Sequence, residues 1–136
     1  MKQNYFPEKY AEDCWEQNAK VWSMLVRDKQ DKYRELLNNP AFIEFIGNIN
    51  GKKTLDLGCG EGYNTRIFAK LGAKLTGIDI SSEMIAQAIS KERDEPLGID
   101  YKVSSFSDLS LFGDNEFDLI LSTMALTAIF AEGIVS

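Results

Sequence analysis

Residues 55–64 read Leu-Asp-Leu-Gly-Cys-Gly-Glu-Gly-Tyr-Asn, placing an acid, Asp56, two positions ahead of the first of three glycines, Gly58, Gly60 and Gly62. Glycines at this spacing let a backbone turn tightly and approach a ligand where a Cβ would intrude. The pattern is G-x-G-x-G, which differs from the G-x-G-x-x-G that rests a pyrophosphate on a helix N-terminus. The carboxylate of Asp56 suits a cationic ligand group, because Coulomb attraction favours opposite charge. A second acid, Asp79, closes the apolar run Gly77-Ile78-Asp79-Ile80. A carboxylate at a strand end can accept hydrogen bonds from both hydroxyls of a ribose, and Ile80 then offers an apolar face to a base. The chain holds no histidine. Ser–His–Asp and Cys–His nucleophile systems, HExxH zinc sites and imidazole shuttles therefore have no place in it. Its chemistry must run on carboxylates, hydroxyls, backbone amides or a bound cofactor.

The elements that position these groups follow from apolar spacing. Thr54 to Leu57 predicts a short strand, the glycines a loop, and Tyr63 to Leu71 a helix stopped by Gly72. The free N–H groups of that helix point into the same crevice. Lys74 to Ile80 predicts a second strand, and Ser81 caps a helix running to about Arg93. Pro96 breaks the path; Ile99, Tyr101 and Val103 then alternate with polar residues as a third strand. Gly113-Asp114-Asn115 predicts a turn, and Phe117 to Ser122 a fourth, nearly all-apolar strand. Strands joined by helical crossovers require a parallel sheet, so the fold class is α/β, doubly wound and mostly parallel.

Ahead of this alternation the chain is helical. Ala11, Trp15, Ala19, Trp22 and Val26 form one apolar stripe. Asn39-Pro40 restarts a helix, with Asn39 as N-cap and Pro40 at its first position, and Phe42, Phe45, Ile46 and Ile49 as its buried face. The division is thus an N-terminal helical segment, residues 1–50, and an α/β domain, residues 51–136.

Composition narrows the partners. Lysine and arginine total 15 against 21 acids, a net charge of −6, and such a surface repels phosphate backbones; Lys52-Lys53 reads as a solvated turn, so no nucleic-acid partner is expected. Cys14 and Cys59 make neither a disulfide framework nor a C-x-x-C pair, and no metal site is expected. The first ten residues lack the apolar segment of a signal peptide, and no uncharged apolar run approaches the roughly 18 residues of a membrane span. The expectation is a cytoplasmic protein without a membrane partner.

The acid–glycine loop paired with Asp79 resembles the class I S-adenosylmethionine-dependent methyltransferases of the small-molecule type. Leu55 to Gly62 is similar to their first motif, Gly77 to Ser82 to the second, Ile99 to Leu109 to the third, and Phe117 to Met124 to the strand bordering the transfer site. The resemblance covers roughly residues 50–124 and implies a Rossmann-like sheet. It implies that Asp56, Gly58 and Gly60, with Cys59 and Gly62 in the same loop, hold the methionine moiety of S-adenosyl-L-methionine. Asp79 would bind the ribose and Ile80 pack on adenine. The third motif's acid and small residue read Ser105 and Phe106 here, which leaves a hydroxyl where an acid meets the adenine amino group. Ser122 and Thr123 would face the sulfonium. The helical N-terminus looks like the family's lid, with Trp15, Trp22 and Tyr33 over the cofactor and Arg34 near its carboxylate; the spacing alone fits a packed stripe and a solvent-facing arginine. The implied activity is methyl transfer to a small-molecule acceptor by in-line displacement, with no catalytic base assigned.

The resemblance also implies a seven-stranded sheet, whereas residues 123–136 alone follow the fourth strand. The expected sheet is therefore truncated, and Leu119-Ile120-Leu121 would form an apolar edge open to pairing in a homodimer. Two other readings follow: a non-catalytic cofactor-binding or oligomerising fragment, and an NAD-dependent oxidoreductase, which the place of the third glycine disfavours.

Overall fold

The computed structural model describes residues 8–27, 39–105 and 107–123. Its elements in chain order are α1 (Glu8–Arg27), α2 (Asn39–Ile46), β1 (Lys53–Leu57), α3 (Tyr63–Lys70), β2 (Lys74–Asp79), α4 (Ser82–Asp94), β3 (Asp100–Val103) and β4 (Leu119–Leu121). The strands run parallel in the order β3-β2-β1-β4. That is the α/β, Rossmann-like arrangement the crossovers require.

Pairing register aligns Tyr101, Gly77, Asp56 and Leu121 as one row across the four strands, hence on one face. On that face Leu75, Tyr101 and Leu121 join Phe68 of α3, Ile85 and Ala88 of α4, and Ile49 in a single buried core. Phe42, Ile43 and Ile46 of α2 pack against the same core, so this helix shares its apolar side with the sheet. Phe45, expected inside, is exposed: the buried face of α2 runs through Phe42, Ile43 and Ile46, and position 45 lies off it.

On the opposite face Leu55 and Ile78 are buried beneath Phe112 and Phe117, whose rings meet edge to face at 5.1 Å. Among the described residues α2, α3 and α4 line the first face, α1 packs along α4, and the β3–β4 connection supplies the cover of the second. Ile120 points away from the core and is 56% exposed.

The fourth strand is shorter than the apolar run predicts. Phe117 turns onto Phe112, and Asp118 pairs with the start of β1 instead, its Oδ2 accepting from Lys53 N (2.9 Å) and its N donating to Lys53 O (2.8 Å). Val103, expected to point inward, is 49% exposed at the end of the edge strand. In α1, Ala19 and Ser23 are buried one turn apart and Trp15 is half-buried. The side chain of Trp22, together with Tyr33, Arg34 and Phe106, lies outside the described residues. No helix among the described residues is long and apolar enough to cross a membrane.

Candidate cofactor site

The glycine loop is stitched onto the neighbouring strand. Gly58 N and Cys59 N both donate to Ile78 O, at 2.8 and 2.9 Å, and Gly62 N donates to Cys59 O at 3.1 Å. Gly60 has φ 60°, and a Cβ there would meet nothing within 4 Å. Its glycine is thus required by the left-handed backbone, and the space in front of it is open. At Gly62 the reason is different: φ is 91°, and an added Cβ would stand 2.4 Å from the Tyr101 hydroxyl. An aromatic ring of the sheet row thus excludes any side chain at Gly62. The same ring lies under Gly77, where a Cβ would come within 2.9 Å of Tyr101 Cδ1 and 3.0 Å of Cys59 Sγ.

Asp79 sits at the C-terminal end of β2 with both oxygens engaged by backbone. Oδ2 accepts from Gly60 N at 2.9 Å and Oδ1 from Ser81 N at 3.0 Å. Burial raises its pKa, while the N–H groups of Ser81, Gly60 and Ile80 oppose that rise. Each carboxylate oxygen has a second lone pair, so the fixed group can still accept from a ligand. Ile80 follows, half-buried, between Asp79 and the cap of α4. Ser81 is that cap, its side chain accepting from Met84 N.

Asp56 lies under the loop, only 1% exposed. Its Oδ2 accepts from Thr65 Oγ1 at 2.7 Å, and its Oδ1 has no partner among the described residues. Burial pushes its pKa up to about 7; the Thr65 bond works against that rise and the Asp79 charge adds to it. Cys59 is buried, and burial followed by the charges of Asp56, Asp79 and Glu61 pushes its thiol well up. A thiol so placed stays protonated and is no nucleophile.

Ser122 and Thr123 close the other side. Ser122 Oγ donates to Leu57 O at 3.2 Å, and Thr123 Oγ1 accepts from Asn64 Nδ2 at 3.1 Å. The exit of β4 is thus tied to the exit of β1 and to the first turn of α3. Ser105 follows the end of β3, where Ser104 N donates to Asp79 O at 2.9 Å; its hydroxyl lies 2.8 Å from that of Ser107.

The structure brings Gly58, Cys59, Gly60, Gly62, Asp79, Ile80 and Ser122 to the C-terminal rim of the sheet, with Asp56 beneath the loop; that rim is the place where open α/β sheets bind ligands. Sequence reading missed Thr65, Asn64 and Tyr101. Thr65 offered a local signal, a hydroxyl in the first turn of the helix after the loop, whereas Tyr101 becomes visible only once strand register is known.

The family described as "Methyltransferase domain" matches residues 55–132. The chain is similar to the ubiquinone biosynthesis O-methyltransferase of Nitrosococcus oceani, 36% identical over 97 residues, covering 68% of this chain and 41% of that protein. The protein of the same name from Xanthomonas euvesicatoria pv. vesicatoria is 32% identical over 85 residues, 60% of this chain and 36% of its own length. The S-adenosylmethionine-dependent methyltransferase from Mesorhizobium loti superposes with a TM-score of 0.57 at 33% identity, over 64% of this chain and 39% of that one. Phosphoethanolamine N-methyltransferase 2 of Haemonchus contortus, solved with S-adenosyl-L-methionine, gives 0.55 at 28% identity, over 64% and 21%. The chain spans well under half the length of the curated relatives it matches.

Proposed function

This chain belongs to the methyltransferase-domain family, the class I S-adenosylmethionine-dependent enzymes, and from that premise we propose that residues 55–123 form the cofactor side of an enzyme that methylates a small molecule. The residues present fit the cofactor. A carboxylate is pinned at the strand rim, open space fronts Gly60, and a buried carboxylate oxygen without a partner lies beneath the loop. S-adenosyl-L-methionine, when bound, supplies an activated methyl group.

The chain's own residues bind and align. Asp79 accepts from the ribose hydroxyls, and the two backbone N–H groups hold its carboxylate in direction, so little order is lost on binding. Ile80 packs against adenine. Gly58 and Gly60 let the backbone face the methionine moiety. Asp56 acts from below the loop, its charge favouring the cationic end of the ligand without touching it. Ser122 and Thr123, held by Leu57 and Asn64, would flank the sulfonium end of the bound cofactor, which would supply the methyl group to the acceptor. Alignment and exclusion of water are the protein's contribution there. The O-methyltransferase relatives favour an acceptor hydroxyl on a small molecule.

The observation that carries this reading is Asp79, its two oxygens fixed by Gly60 N and Ser81 N at the end of a parallel strand. Calorimetric titration with S-adenosylhomocysteine tests it. Micromolar binding, about −8 kcal/mol, is expected, and Asp79→Ala should weaken it by roughly 100-fold, the loss of two hydrogen bonds to a charged group. A folded wild-type chain that takes up no S-adenosylhomocysteine overturns the reading.

A further inference from the structure

Glu16, on α1, makes contacts that no spacing in the sequence announced. Its carboxylate crosses to the first turn of α4. Oε1 accepts from Ser82 Oγ at 2.7 Å and from Glu83 N at 2.8 Å, and Oε2 accepts from Ser81 Oγ at 3.0 Å. These bonds, the Ser82 hydroxyl foremost, hold its carboxyl below the usual carboxylate range despite opposing desolvation. A carboxylate suits a helix N-terminus, where N–H groups lack partners. Here the acid comes from a different helix, so the contact joins α1 to α4. Ala19 and Ser23, on the same side of α1 as Glu16, are both buried, and α1 packs along α4.

Ser81 is the junction. It is fully buried; its Oγ donates to Glu16 and accepts from Met84 N at 3.1 Å, while its own N donates to Asp79 Oδ1 at 3.0 Å. A continuous path of hydrogen bonds thus runs from Glu16 through Ser81 to Asp79. We propose that Glu16 is a positioning residue of the adenosine end of the cofactor site: it seats α1 beside Asp79 and, through Ser81, fixes the direction in which Asp79 presents its carboxylate. The proposal rests on the reading of Asp79 as the ribose ligand. It gives α1 a specific contact with the site and makes recognition of the ribose depend on a residue far away in the chain.

The test uses adenosine, 2′-deoxyadenosine and S-adenosylhomocysteine, titrated into the full chain. Glu16→Gln should weaken adenosine and S-adenosylhomocysteine by a similar factor, roughly fivefold to tenfold. It should also narrow the preference for adenosine over 2′-deoxyadenosine, which a general loss of stability would not do. Residues on one bonded path are not additive, so in an Asp79→Asn background the same substitution should add less than about twofold. Ser82→Ala, which removes one docking bond and leaves Ser81 untouched, should keep the ribose preference. If Glu16→Gln does not fold, Glu16→Asp retains the charge but not the reach, and the same narrowing is expected. An unchanged ribose preference in whichever Glu16 variant folds, or full additivity with Asp79→Asn, overturns the proposal. A wild-type chain that binds neither adenosine nor S-adenosylhomocysteine overturns the reading of Asp79 instead.

Discussion

Asp56 and Asp79 stand on neighbouring parallel strands and on the same face of the sheet, yet their surroundings differ. Register places Asp56 beside Gly77, two residues below the rim where Asp79 sits beside Val103. The lower acid is sealed under the glycine loop with one hydroxyl partner and one oxygen unpartnered. The rim acid is half-buried and takes a backbone N–H on each oxygen. Both carboxyls are raised by burial, but the rim acid's backbone donors favour its charged form. Two rungs along a strand therefore separate an acid that underlies the loop from one that the loop and the α4 cap hold by their backbone N–H groups.

The sharpest way to break this contrast is to measure stability against pH. The Asp56 carboxyl titrates at about 7 when folded against 3.8 ordinarily. Between those values the folded chain binds a proton that the unfolded chain has released. Its contribution is therefore favourable at low pH and is lost as pH rises from about 4 to about 7. Three pKa units at about 1.36 kcal/mol each set an upper limit of about 4 kcal/mol. In urea unfolding at pH 5 and pH 8, wild type should lose roughly 2–4 kcal/mol relative to Asp56→Asn. Asp79→Asn should change that slope less, because its backbone donors hold the charge. If the wild-type and Asp56→Asn profiles run parallel, Asp56 is not the buried acid described.

Thr65→Val narrows the question to the one bond Asp56 makes. The Thr65 hydroxyl donates to Oδ2 and lowers the carboxyl's pKa. Its loss should raise that pKa further and cost about 1–3 kcal/mol at pH 8, where the carboxylate would be left without a partner. At pH 5, where the carboxyl is neutral, the cost should shrink. An equal cost at both pH values would show that the hydroxyl matters for packing alone.

What the sequence made legible divides along similar lines. The glycine loop, Asp79 at a strand end, the Ser81 cap and the parallel crossovers are local patterns, set by backbone geometry within a few residues. The contacts that complete them are not local. Tyr101 fills the space under Gly62 and Gly77 because strand register puts it there, and Glu16 reaches Ser81 because α1 docks on α4. Neither register nor docking is written in apolar spacing. The fourth strand shows the same limit. Phe117 to Ser122 reads as one apolar run, yet Phe117 is drawn to Phe112 on the opposite face and Asp118 uses its side chain on Lys53, which leaves Leu119–Leu121 as strand. Competition between tertiary partners decided those ends.

The smallest expected effect tests whether the two acids divide the ligand as they divide the rim. S-adenosylhomocysteine carries an ammonium group; adenosine lacks it. If ionised Asp56 favours that ammonium from beneath the loop, binding the cation should in turn favour the ionised form, and protonation below pH 7 should remove the benefit. Affinity for S-adenosylhomocysteine should therefore fall roughly threefold to tenfold from pH 8 to pH 6, about 0.7–1.4 kcal/mol. If Asp79 holds the ribose, adenosine should show a flatter profile, and Asp56→Asn should flatten the S-adenosylhomocysteine profile to match it. Calorimetry across that pH range reads all three curves. A pH slope equal for both ligands, and unchanged by Asp56→Asn, would move the effect to Asp79 and leave Asp56 as an element of the loop's architecture alone.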